Sequence, residues 1–211
     1  MAYVAASTAS EPGLAGFQRM RRAVIALLLV LLAGMLLFIK SNQPELVHEQ
    51  IELWGMMLML VGIGGRLWST LYIGGRKSSL VVDIGPYSIT RNPLYFFSAI
   101  AAAGVGMQVG SWVLGIVFAI LCWAAFLVVI RKEESFLRQE LGQPYLDYLA
   151  RVPRFFPNLL LYKDRQEVTF RPKLLSQTLV DGLAFFLSVP IFELIEKGQE
   201  SGIIPVMLSL P

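Results

Sequence analysis

Two short stretches of this 211-residue chain gather side chains able to hold charged groups. The first runs from Asp83 to Tyr95 and reads D-I-G-P-Y-S-I-T-R-N-P-L-Y. Gly85-Pro86 is a turn signal, because proline fixes φ for a turn position and glycine tolerates backbone angles that other residues avoid. Asn92-Pro93 then reads as a helix start, with Asn92 at the N-cap and its side chain accepting an N–H bond. Pro93 takes the first helical position, where a missing N–H costs nothing. The positive end of a helix dipole beside Arg91 suits an anionic group.

The second stretch, Arg131 to Pro157, is R-K-E-E-S-F-L-R-Q-E-L-G-Q-P-Y-L-D-Y-L-A-R-V-P-R-F-F-P. As a helix ended by Gly142 it aligns positions 130, 134, 137 and 141 on one face. Three are Ile130, Leu137 and Leu141; the fourth is Glu134, a carboxylate that should not face inward without a partner. Its structural alternative is a solvated pair with Arg138 one turn on. Tyr145, Tyr148, Arg151 and Arg154 follow, and they also fit an aromatic and basic band resting on a membrane surface.

The elements that must position these stretches are apolar. With 55% hydrophobic and 16% charged residues, the composition is that of a polytopic membrane protein built as one all-α helix bundle. A net charge of +3 gives no case for a nucleic-acid partner. One cysteine, Cys122, excludes an intramolecular disulfide, and the only histidine, His48, reads as part of a short polar loop without histidine or cysteine partners, so a haem or zinc site lacks its usual ligands. No metal is assigned.

Residues 1–18 read as a tail, 19–157 as the membrane core and 158–211 as a C-terminal segment. Arg19, Arg21 and Arg22 precede an apolar run, 23–39, that reads as a first span. It is longer than a signal h-region and lacks a small-x-small cleavage site. Leu53 to Ile73 is a second span with Gly55, Gly62, Gly64 and Gly65 for close helix packing, and with Trp54 and Trp68 at its interfaces. Arg66 within it is either functional or snorkels to the interface. Leu94 to Ile130 splits near Gln108 to Ser111 into a hairpin, Pro93 to Gly110 out and Trp112 to Ile130 back. Gly104, Gly106 and Gly110 lack the strand of a dinucleotide fingerprint and read as packing glycines.

Arginine and lysine, from Arg19 through Arg76, Arg91, Arg131 and Arg154, fall on one side of this four-span arrangement, and the opposite loops offer only Lys40. By the positive-inside rule the N-terminus and both chemical stretches face the cytosol across a cytoplasmic membrane. Leu174 to Ile195 is a possible fifth span or a re-entrant helix, interrupted by Asp181, Pro190 and Glu193.

G-P-Y-S-I-T-R-N-P-L-Y at 85–95, a hydrophobic hairpin, K-E-E and then G-Q-P-Y-L-D-Y-L-A-R-V-P-R-F-F-P to 157 together resemble the isoprenylcysteine carboxyl methyltransferase and phospholipid N-methyltransferase superfamily. The resemblance covers 66–157 and rests on the order and spacing of the motifs. It implies an integral membrane enzyme that binds S-adenosylmethionine at the cytoplasmic face. Carried across, Tyr87, Arg91, Asn92, Pro93 and Tyr95 form one wall of the cofactor pocket and Glu133 and Glu134 the other, with Tyr145, Tyr148 and Arg151 closing it. The carboxyl methyltransferases usually have Arg-His-Pro where this chain has Arg91-Asn92-Pro93. Asn-Pro occurs in the phosphatidylethanolamine branch, and asparagine cannot act as a general base.

The residues suit that cofactor: Arg91 for its carboxylate, Glu133 or Glu134 for its cationic groups. Methyl transfer is an in-line displacement, so alignment and exclusion of water dominate. A carboxylate or thiolate acceptor needs no base but gains from an orienting Arg151 or Arg154, whereas an amine must lose a proton, for which Glu134 is a candidate. The acceptor is expected to be lipidic or a small hydrophobic molecule. Two other classes fit parts of the pattern: a non-enzymatic scaffold whose basic loops bind anionic lipids, and a membrane reductase using NADPH.

Overall fold

The computed structural model describes residues 36–73 and 80–211. The expected tail, 1–18, lies outside them, as does the expected first span apart from its last four residues. Helix α1 spans Glu45–Ile73, the short α2 Pro86–Ile89, α3 Pro93–Met107, and α4 Trp112–Leu141. Then come α5 Gln143–Arg151, α6 Pro172–Leu183 and α7 Ser188–Glu200. Three stretches, Glu45–Ile73, Trp112–Leu141 and Pro172–Glu200, are long and apolar enough to cross a membrane, and Pro93–Met107 is a shorter apolar helix. The all-α membrane bundle expected from composition is therefore present.

Glycine brings the helices together. A Cβ on Gly104 would stand 2.4 Å from the Gly55 carbonyl oxygen, and one on Gly62 would stand 2.7 Å from the Phe97 carbonyl oxygen. At these points α1 and α3 touch backbone to backbone, which dispersion rewards inside lipid where no hydrophobic force acts between helices. Gly106 does the same against Leu114, where α4 turns back. Gly64 differs from the expectation, since nothing lies within 4 Å of its Cβ position. The outward faces carry exposed Leu53, Met57, Leu60, Ile116, Ile120 and Val128, as a lipid-facing surface requires.

Arg66 turns into the protein instead of toward an interface. Its Nη1 donates to Ser98 Oγ, and its guanidinium lies 5.9 Å from the Phe185 ring centre. The C-terminal stretch is one run of helix bent at a 3₁₀ turn, Ala184–Leu187, between α6 and α7. Pro190 follows that turn, near the start of α7.

Two details correct the sequence reading. His48 is not in a loop: α1 starts at Glu45, about two turns earlier than the apolar run. And two three-residue strands pair in parallel, β1 Ile39–Ser41 with β2 Leu208–Leu210, in the register Ile39 to Leu208. Together they clasp the chain's C-terminal end to the start of the bundle.

Candidate active site

The two charged stretches meet. Arg91 N–H donates to Pro153 O at 2.9 Å, Asn158 N–H to Ile89 O at 2.8 Å, and Thr90 Oγ1 to Phe155 O at 2.9 Å. Gly85 N–H donates to Lys163 O at 2.8 Å. Residues over sixty positions apart are thus tied through backbone groups, leaving their side chains to shape a site. Gly85 has φ of 57°, and a Cβ there would strike the Tyr72 ring at 2.4 Å, so the turn admits glycine alone without strain.

Asn92 is the N-cap of α3 by position, but its side chain does not cap the helix. Its Nδ2 donates to Arg154 O at 2.8 Å, joining the helix start to the second stretch. The Tyr95 and Phe96 amides both bond Asn92 O, and Pro93 has no N–H.

Glu134 is 4% exposed on the face shared with Ile130, the burial expected of its position. Its partner is not Arg138. Arg91 Nη1 lies 3.0 Å from Oε1, and Arg154 holds the carboxylate side-on, with Nε 3.2 Å from both oxygens and Nη2 2.9 Å from Oε2. Two guanidiniums around one carboxylate are what allow it to be buried. Glu134 and its hydrogen bonds raise Arg154, while burial draws Arg91 down against the raising influence of Glu134. Both arginines stay charged.

These groups line an open cleft whose empty space, mouth included, is about 740 Å³. Tyr87, Arg91, Asn92, Pro93, Tyr95, Glu133, Glu134, Tyr145 and Tyr148 all line it, with Leu137 and Leu141 as an apolar flank. Arg151 and Arg154 are not on its wall. Arg154 sits behind Glu134, and the half-exposed Arg151 pairs with Asp83 at 2.6 Å, an aspartate shared with Lys163 at 2.5 Å.

Tyr148 hydroxyl donates to Tyr87 O at 2.8 Å, and the Tyr145 and Tyr148 rings lie 5.9 Å apart. Burial, followed by the nearby Glu134 charge, pushes the Tyr145 hydroxyl up to about 12. Burial also raises Tyr87 and Tyr148, so all three are neutral donors at physiological pH. Two polar atoms on the cleft are buried with no hydrogen-bond partner among the described residues, Tyr87 Oη and Arg91 Nε. Such atoms are costly unless a ligand or water completes them.

Sequence reasoning missed Asp83, Lys163, Asp164 and Tyr72. Asp164 accepts from the hydroxyls of Tyr72 and Tyr162, both at 2.7 Å, and braces the segment that covers Gly85. No local motif marks the Tyr72–Asp164 and Asp83–Lys163 pairs, whose members lie 92 and 80 positions apart.

The phospholipid methyltransferase family matches residues 51–144. The chain is 31% identical over 157 residues, 74% of this chain and 73% of the relative, to the nickel-cobalt-cadmium resistance protein NccN of Alcaligenes xylosoxydans xylosoxydans. It is 30% identical over 156 residues, 74% of this chain and 72% of the relative, to the cobalt-zinc-cadmium resistance protein CzcN of Cupriavidus metallidurans. With the protein-S-isoprenylcysteine O-methyltransferase B of Arabidopsis thaliana it shares 28% identity over 120 residues, 52% of this chain and 61% of the relative. No solved structure matches it.

Proposed function

Because the chain belongs to the isoprenylcysteine carboxyl methyltransferase and phospholipid methyltransferase superfamily, we propose that it moves a methyl group from S-adenosylmethionine to a lipidic or membrane-partitioned acceptor. That it is a membrane methyltransferase follows from the family and its apolar helices. The donor, the acceptor and the residue roles are our reading. The scaffold and reductase alternatives have no observation of their own in their favour.

One observation carries the reading: a single cleft joins a buried Arg91–Glu134 pair to two uncompleted polar atoms, Arg91 Nε and Tyr87 Oη. An amino-acid zwitterion matches that chemistry, its carboxylate taken by Arg91 and Tyr87 and its ammonium by Glu133 and Glu134. When bound, S-adenosylmethionine supplies a methyl group made electrophilic by its sulfonium. Arg154 holds Glu134 in place from behind. Leu137, Leu141, Tyr145 and Tyr148 exclude water and keep the site in low dielectric, where alignment is most effective. If the nucleophile is an amine, Glu133 or Glu134 on the cleft wall would take its proton. An anionic carboxylate or thiolate acceptor needs no such group.

By the charge asymmetry of the loops, the cleft faces the cytosol and residues 19–157 form the functional core. The names of two bacterial relatives concern resistance to nickel, cobalt, cadmium and zinc, and we extend that setting to this chain as the condition under which its methylation acts.

Equilibrium dialysis of labelled S-adenosylmethionine against detergent-purified protein tests the donor. Saturable uptake, abolished in R91A, supports it; absence of uptake by a cooperatively folding protein overturns it. Displacement of label by NADPH would favour the reductase. Mass analysis of methylated products from membrane extracts then names the acceptor.

A further inference from the structure

The other end of the bundle holds a second convergence of ligand-bearing side chains. His48 and Glu52 stand one turn apart on α1 and face Glu196 on α7. His48 Nε2 lies 3.2 Å from Glu52 Oε1 and 3.9 Å from Glu196 Oε2, and one ligand atom from each residue lies within 4.8 Å of the others. From His48 to Ile73, the α1 residue lining the methyl-donor cleft, the helix rises about 38 Å. The two sites are separate.

Contacts to backbone groups hold the segments that carry these residues. The His48 ring lies against Gly110, whose φ is 70° and where a Cβ would stand 2.4 Å from Nδ1. Ser41 Oγ donates to Gly110 O at 2.7 Å, and Gln108 Nε2 donates to Glu52 O at 3.0 Å. Gln199, three residues after Glu196, donates from Nε2 to Leu37 O at 2.8 Å and to Ile39 O at 3.1 Å, which pins α7 beside β1. His48 and Glu196 also line a small cavity at this point.

Among the described residues the charges at this point do not balance. Glu52 and Glu196 face one imidazole, and Glu193 adds its field from the same face of α7. Lys40, the cation on the cavity wall, is turned to Glu200 at 3.7 Å. Two half-buried carboxylates with one imidazole nitrogen therefore need positive charge.

We propose that His48, Glu52 and Glu196 bind one divalent first-row transition-metal ion that braces α7 against α1. Carboxylates alone would suit magnesium or calcium, but an imidazole donor favours a transition metal such as zinc, nickel, copper or iron. Bonds of about 2.0–2.2 Å set neighbouring donors roughly 3.0–3.5 Å apart, close to the His48–Glu52 separation of 3.2 Å. Glu196, with a side chain 36% exposed, turns inward to close the remaining gap. Glu52 lies inside the matched family region, 51–144, whereas His48 and Glu196 lie outside it. The site is thus not a requirement of that region.

The test uses tag-free, full-length protein in detergent, dialysed against zinc or cobalt and analysed for bound metal. One ion per chain is expected, with at least tenfold weaker binding in H48Q and in E196Q. E196Q alters a partly exposed side chain and serves where H48Q fails to fold. The sequence has one histidine and one cysteine, so imidazole coordination seen by X-ray absorption identifies His48 without ambiguity. Cooperative thermal unfolding, independent of methyl-donor binding, certifies the folded state. No uptake by folded protein would overturn the proposal and leave His48 as a hydrogen-bond partner of Glu52 alone. Uptake unchanged in both variants would reduce it to an adventitious ion, and uptake lost in E134Q but kept in E196Q would move the ion to the other end.

Discussion

The two ends of the bundle solve opposite electrostatic problems. At the Arg91 end, Glu134 is 4% exposed and its carboxylate is held between two guanidiniums, with Glu133 on the same cleft. At the His48 end, two carboxylates meet one imidazole, and the surplus is negative. A buried imbalance of either sign is expensive unless something completes it. The first end suits a ligand bringing a carboxylate, and the second suits a cation. Position along the helices agrees: the first pair joins α3, α4 and the loop after α5, and the second joins α1 to α7.

The largest effect should come from breaking the completed pair. E134A strands Arg91, whose side chain is 12% exposed, and removing one partner of such a buried pair costs about 3–5 kcal/mol. Thermal unfolding should show a markedly lower midpoint, and donor uptake should vanish. E134Q keeps the shape and should lose uptake with a smaller stability cost. If E134Q took up the donor as the wild type does, Glu134 would be structural alone.

A matched pair of glycine substitutions addresses the ends separately. G85A adds a Cβ at φ of 57° against Tyr72, and G110A adds one at φ of 70° against His48, each at a cost of about 1–3 kcal/mol. Calorimetry should find similar destabilisation. Labelled-donor dialysis should register G85A, whereas metal dialysis should register G110A. Equal loss of both ligands in both variants would mean that the ends are coupled, and the comparison would fail.

What the sequence made legible follows from the range of each signal. The apolar stripe through Ile130, Leu137 and Leu141 revealed that Glu134 is buried, because helical period is local. It could not reveal the partner, because Arg91 and Arg154 lie 43 and 20 residues away and Arg138 was nearer. Asn92-Pro93 marked the start of α3, yet the Asn92 amide went to Arg154 O, since a distant backbone acceptor outcompeted the local cap. His48 read as a loop residue because hydropathy alone began the helix at Leu53, whereas α1 starts eight residues earlier. Its meeting with Glu196, 148 positions on, has no local trace.

Titration gives a smaller and more specific test. Tyr145, held up at about 12 chiefly by burial, keeps its proton in the fold after an unfolded tyrosine loses one near 10. Its share of stability is therefore complete below pH 10 and falls as pH rises toward 12. Y145F should flatten the alkaline arm of a stability–pH curve by that share. On the acid side, burial tends to raise Asp83, but Lys163 and then Arg151 outweigh it and hold the carboxyl below its usual range. Stability from Asp83 is present above about pH 3.9, the unfolded value, and is lost as pH falls through the lower folded one. D83N should remove that acid loss.

The smallest effect belongs to R151A. Its guanidinium is 51% exposed and shares Asp83 with Lys163, so deleting it leaves the aspartate paired, and an exposed ion pair is worth about 0–1 kcal/mol. Thermal midpoints of R151A and wild type should nearly coincide, and moderate salt should erase the remainder. R154A should behave differently, because it removes the side-on hold on Glu134. The pair of variants thereby ranks two arginines that the motif spacing could not separate. If R151A kept full stability but took up the methyl donor more than tenfold less well, its guanidinium would have to leave Asp83 and touch the ligand, and the cleft would extend past the wall seen here.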